Sequence, residues 1–126
     1  MDYKTYNSIA LAFLGDAVYE KYIRERIVRH GSVGADKMHR EAVRYVKAAA
    51  QEQCLRAMLD GLTETEHDVV RRARNHKITS KPKNADPLTY KMATAFEALL
   101  GYLYLSGQEE RLAELMERAA RIIEEA

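Results

Sequence analysis

Cysteine is almost missing from this chain of 126 residues, with Cys54 the only one. That excludes an internal disulfide framework and a cysteine-based zinc finger. Long apolar runs are missing too. The opening residues, MDYKTYNS, have no apolar signal-peptide core, and nowhere do the ~20 apolar residues of a membrane span occur in sequence. Net charge is close to nil: 20 Lys and Arg against 19 Asp and Glu give +1, so the total favours no class of partner. No stretch alternates with a period of two and β-branched enrichment, so strands are not expected. Internal repeats and low-complexity segments are absent as well. The expectation is a soluble, cytoplasmic protein with no membrane partner. Its length suits a single domain, 1–126, able to bury one core without staples.

What is present reads as helix. The 6 glycines and 2 prolines fall mostly where periodic segments end. They divide the chain into five segments: 7 or 8 to 29, 36–59, 63–74, 86–105 and 109–125. Thr63 with Glu66 three residues on is a capping-box pattern, which satisfies orphan helix N–H groups from both sides. Asp86-Pro87 reads as an N-cap followed by proline at the first helical position, where a missing N–H does no harm. In the last segment Leu112, Leu115, Met116, Ala119, Ile122 and Ile123 share one helical face, and in the second Ala42, Val46, Ala49, Ala50 and Leu55 nearly do. The expected fold class is all-α, with about five helices.

Charge is uneven although its total is flat. Residues 71–91 hold seven bases (Arg71, Arg72, Arg74, Lys77, Lys81, Lys83 and Lys91) and one acid, Asp86. Residues 108–126 hold six Glu and three Arg. The basic stretch includes the one long non-helical segment, 75–85, and a long loop in a small domain is more often functional than idle. Basic residues among Asn, Ser and Thr suit phosphate contacts, which need donors rather than a fixed groove. A solvated basic loop explains the charge equally well.

Two acids stand in unusual company. Residues 9–18 read IALAFLGDAV and residues 92–105 read MATAFEALLGYLYL. A helix that is apolar nearly all round is a buried one, so Asp16 and Glu97 are expected to be buried carboxylates. Each then needs a base, a hydrogen-bond donor or a metal ion. For an arbitrary buried acid, an Arg or Lys partner is the commoner answer. Here both acids adjoin small residues (Gly15, Ala17, Ala98), which let another group approach the backbone. Hard oxygen ligands from two helices, completed by water and phosphate oxygens, suit Mg²⁺, and phosphodiester hydrolysis is a reaction Mg²⁺ supports.

Other candidates weigh less. Glu20, four residues after Asp16, shares its helix face and could orient a metal-bound water, but pairing with Arg24 is the simpler role. Glu64 and His67 have the Glu-x-x-His spacing of di-iron bundles, which needs a second copy that the chain lacks. Cys54 reads as a small apolar residue. His39 and His76, among bases, read as RNA contacts rather than catalytic groups, and Tyr102 and Tyr104 as core or interface.

FLGDAVYE at 13–20 and TAFEALLGYLYLSG at 94–107 resemble the two acidic motifs of the ribonuclease III catalytic-domain family. The stretches MHREAVRYVKAAAQ (38–51) and RRARNHKITSKPKNAD (71–86) are similar to its Mini-ribonuclease III subfamily, which has no double-stranded-RNA-binding domain. The resemblance covers about 7–115. It implies that Asp16 and Glu97 are the catalytic, metal-binding acids. The wider family's glutamate four before the first acid is Ala12 here, and its aspartate three before the second is Thr94; the subfamily looks similar at both. Also implied are a homodimer with two active sites facing one valley, and Mg²⁺-dependent hydrolysis that leaves a 5′ phosphate and a 3′ hydroxyl. The implied substrate is double-stranded precursor of large-subunit (23S) ribosomal RNA, with room for a ribosomal-protein helper. Affinity would then come from the dimer surface and from Arg72, Arg74, Lys77, Lys81 and Lys83. The alternative is a non-catalytic helical RNA-binding or ribosome-associated module in which Asp16 and Glu97 are merely paired.

Overall fold

The computed structural model describes residues 2–77 and 83–126. Among the described residues six α-helices follow one another: α1 (Ser8–Arg29), α2 (Ala35–Val46), α3 (Ala48–Met58), α4 (Glu64–Arg74), α5 (Pro87–Leu105) and α6 (Glu109–Glu124). No strand occurs among the described residues, and none of their helices is long and apolar enough to cross a membrane.

The helix starts follow from local chemistry. The Asn7 side chain accepts from the N–H groups of Ile9 and Ala10 at the head of α1. Thr63 and Glu66 form the expected capping box on α4. Glu66 also takes a two-pronged hydrogen bond from Arg111 of α6, at 2.9 and 2.8 Å. Asp86 accepts from the N–H of Leu88, with Pro87 opening α5.

The described residues form one helix more than the expected five, because the segment 36–59 breaks at Lys47, whose backbone is extended (φ −63°, ψ 153°). Neither Gly nor Pro stands at the break; the cause is the core. At about 100° per residue, an unbroken helix would turn the mean direction of Ala42 and Tyr45 nearly opposite to that of Ala50, Gln51, Cys54, Leu55 and Met58 taken together. All seven are buried. Breaking at Lys47 lets both stripes face inward.

The centre of the fold is α5, with ten of its residues buried and its packing mainly against α1, α3 and α4. The far half of α1 is fixed differently. Arg26 meets Glu124 of α6 through two nitrogens (2.6 and 2.8 Å) and Glu117 through a third (2.7 Å). The hydroxyls of Tyr22 and Tyr45 donate to the same two carboxylates. Arg26, Tyr22 and Arg121 together hold the Glu117 carboxyl well below its usual range, down to about 2; the Tyr22 hydroxyl contributes most.

One expectation about α1 is corrected. It is not buried all round: Phe13 is 84% exposed, Ile9 and Val28 are exposed too, and so is Asp16. Only one side of α1 meets the core; the other is apolar and open.

Candidate active site

The site begins with two glycines. A Cβ on Gly15 would lie 1.7 Å from the Glu97 carbonyl oxygen, and one on Gly101 would lie 2.0 Å from that of Leu11. Both distances are far inside contact, so only glycine fits at either position. Without the two side chains, α1 and α5 cross backbone against backbone. The crossing sets Asp16, next to Gly15, beside Glu97, whose own carbonyl touches Gly15. Tyr19 and Phe96 lock the rotation of the two helices, with ring centroids 5.1 Å apart and planes at 81°.

The two carboxyl groups lie within hydrogen-bonding reach of each other. Burial, then the hydrogen bond and the charge of Asp16, push the Glu97 carboxyl up to about 8. Like charges this close cannot both ionise freely. Neither acid forms an ion pair with Lys or Arg among the described residues. Among the described residues, then, no structural ion pair to Arg or Lys holds either acid.

Besides Asp16, Glu97 meets Gln51 of α3, whose Nε2 donates to Glu97 Oε2 at 3.4 Å. Gln51 is 2% exposed. Next to it Glu52 accepts from the Thr89 hydroxyl at 2.8 Å, fastening α3 across α5. Sequence reading assigned Gln51 no role. The signal was an amide on the apolar stripe of Ala50, Cys54, Leu55 and Met58.

Other candidates fall into place. Glu20 pairs with Arg24 at 3.4 Å, the simpler of its two roles. Thr94 turns its hydroxyl to the Tyr90 carbonyl in its own helix, and Ala12 is buried, so neither adds a ligand. No cluster of three or more His, Cys, Asp or Glu occurs among the described residues, which leaves Glu64 and His67 without further ligands. Cys54 is buried and its thiol is pushed up to about 12 by burial alone. His39 lies in a cleft between α1 and α2 with Arg24 and Met38; the ring of His76 meets the Lys77 carbonyl. Tyr102 is half-buried and Tyr104 is 55% exposed. Arg72, Arg74, Lys77 and Lys83 are all exposed, Arg72 reaching the Thr5 carbonyl. Lys81 lies outside the described residues.

The profile of the ribonuclease III domain matches residues 9–108, from the head of α1 past the end of α5. The chain belongs to the ribonuclease III family. It is an endoribonuclease of that type, in a family that generally depends on a divalent metal and acts on double-stranded RNA. The chain is similar to the Mini-ribonuclease 3 of Symbiobacterium thermophilum, with 53% identity across 92% of this chain and 89% of that one. It is 48% identical to the Mini-ribonuclease 3 of a Thermoanaerobacter species, over 93% and 82%. Among solved structures, a Fusobacterium nucleatum protein superposes with a TM-score of 0.83 at 29% identity, covering 93% of each chain.

The Asp16–Glu97 pair fits a small hard cation on its own geometry. Two carboxyl groups on facing helices meet with no ion pair to Lys or Arg among the described residues. Their oxygens are the ligands Mg²⁺ takes, and Mg²⁺ commonly uses one or two carboxylates and keeps several waters.

Proposed function

We propose that the chain is a Mg²⁺-dependent endoribonuclease, acting as a homodimer on duplex precursor of 23S ribosomal RNA, with Asp16 and Glu97 holding the metal. The observation that carries this reading is the pair itself: two carboxylates set together by a glycine crossing, with no Lys or Arg paired to either among the described residues. When bound, Mg²⁺ supplies an activated water and neutralises charge on the leaving oxygen. Asp16 and Glu97 would hold it, and the α1–α5 crossing fixes the backbone on which the two side chains stand. The ribosomal substrate rests on the likeness of 38–51 and 71–86 to the Mini-ribonuclease III type, which leaves room for a ribosomal protein that presents the RNA.

The dimer reading is supported by the open side of α1. Ile9 and Phe13 lie one turn apart there, 45% and 84% exposed, and Tyr104 of α5 is 55% exposed. Leu14, Ala17, Val18 and Tyr104 line an apolar groove beside them. A second copy covers such a patch with the same patch. Asp16 lies one turn on from Phe13, so pairing there sets both sites beside the seam.

The test is cleavage of a plain RNA duplex, with the sedimenting species measured in the same buffer. A dimer that cuts with Mg²⁺ and stops cutting with chelator is expected. Cutting that ignores chelator, or full activity in a monomer, contradicts the proposal. Duplex bound but never cut with Mg²⁺ present points to the binding-only alternative.

The basic loop supplies phosphate contacts in this reading. Lys77 and Lys83 are exposed and form no ion pair among the described residues. The only acid of 71–91, Asp86, is taken up by capping α5. Replacing Lys77, Lys81 and Lys83 together by Ala should weaken RNA binding most at low salt. Each lost phosphate contact should flatten the salt slope by about one unit, on the scale of duplex DNA. Single-turnover cleavage at saturating RNA should fall much less. An unchanged salt slope would move the contacts to the α2 face around His39, Arg40 and Arg44.

A further inference from the structure

Gln51 is out of place by every measure except one. It sits 2% exposed on the apolar stripe of α3, among Ala50, Cys54, Leu55 and Met58. A buried amide costs free energy unless it is hydrogen-bonded, and it loses side-chain entropy as well. A Met or Leu of similar size would fill the same space without either cost. The exception is its contact with Glu97, the donation from Nε2 to Oε2 at 3.4 Å. The break at Lys47 is what turns Gln51 inward: in an unbroken helix it would face away from the stripe of α2.

We infer that Gln51 is a positioning residue for the metal ligand Glu97: it ties one carboxylate oxygen to α3 and so presents the group to the ion in a single orientation beside Asp16. The amide N–H turned to Glu97 offers the cation no lone pair, whereas a hydroxyl or carboxyl oxygen in its place would. Glu97 stands on a long side chain with three rotatable bonds. Left untied, it would swing away from Asp16 and the two ligands would no longer converge. Partners of this kind, bonded to a ligand rather than to the metal, typically change metal affinity by ~10–100-fold.

This inference rests on Asp16 and Glu97 being the metal ligands, and the experiment separates the two claims. Mn²⁺ is the probe, its binding to RNA-free protein followed by electron paramagnetic resonance. Gln51→Met keeps the volume and removes the donor. It should raise the Mn²⁺ dissociation constant by ~10-fold while leaving the melting temperature in chelator unchanged or higher, since a buried polar group has gone. The Mg²⁺ half-saturation of single-turnover cleavage should rise by a similar factor, and the rate at saturating Mg²⁺ should change far less. Gln51→Asn keeps the donor but not its reach, and should show the same loss; it is the variant to read if Gln51→Met does not fold. Mn²⁺ binding within twofold of wild type in a folded variant overturns the role of Gln51. Asp16→Asn is the control: if it binds Mn²⁺ as wild type does, the assignment of the metal site has failed instead.

Discussion

Asp16→Asn and Glu97→Gln should each lower single-turnover cleavage by ~10³-fold or more, a barrier increase of about 4 kcal/mol, with fold and assembly intact. The amides keep the volume and remove the ligand charge that binds the metal and activates its water. Turnover near wild type at saturating Mg²⁺ in either variant would remove that residue from the site. Glu20→Gln should do far less, because Glu20 is engaged with Arg24. Glu97→Gln should also stabilise the metal-free protein, and the pH dependence fixes the sign. The Glu97 carboxyl moves from 4.5 to about 8 on folding. Between those values the folded state binds more protons than the unfolded one, so stability falls as pH rises through that window. Relative to wild type, the variant should therefore gain nothing below pH 4.5 and most above pH 8, ~1–3 kcal/mol. Thermal unfolding in chelator across that range reads it directly; a gain that shrinks towards high pH would contradict the shift.

Gly15→Ala should unfold or cripple the protein although alanine is the better helix former. The new Cβ would sit 1.7 Å from the Glu97 carbonyl oxygen and 2.7 Å from its carbon, both backbone atoms that cannot rotate away. The helix-propensity gain is ~1 kcal/mol; overpacking costs about 3 kcal/mol, and more where backbone must move. The clash wins. Whatever fraction stays folded should cleave at least ~10²-fold more slowly, since parting α1 from α5 by an ångström misplaces Asp16 against Glu97. Gly31→Ala is the contrast. Its φ of 88° makes alanine strained there, but nothing lies within 4 Å of the new Cβ. A loss of ~1 kcal/mol with unchanged cleavage is expected. Equal damage from the two substitutions, in denaturant melts and in rate, would mean that the crossing has no special part in the site.

The contrast between these glycines also shows what the sequence discloses. Helix ends at Asn7, Thr63 and Asp86 were legible because a cap is a contact between near neighbours, and side-chain type with spacing of two or three decides it. The break at Lys47 has no such marker; it follows from two buried stripes that point different ways, which shows only when the core is known. Gly15 was readable as a small residue beside an acid, but not as the partner of Gly101, since each is required by backbone from the opposite helix. The open side of α1 was misread for a different reason. An apolar face awaiting another surface has the same composition as one already covered, so Phe13 and its neighbours passed for core and Asp16 for a buried acid. The motifs FLGDAV and FEALLG lie on α1 and α5, the two helices whose crossing brings Asp16 beside Glu97. Their geometry, and the amide of Gln51 behind them, came only with the fold.

The most direct measurement is anomalous diffraction from a crystal soaked in Mn²⁺. The account requires a peak between α1 and α5, with a carboxylate oxygen of Asp16 and one of Glu97 each about 2.1 Å from the ion and the rest of its shell made of water. A Mn²⁺ bound by other residues in protein that still cleaves duplex RNA, with Asp16 and Glu97 left facing each other, would contradict it.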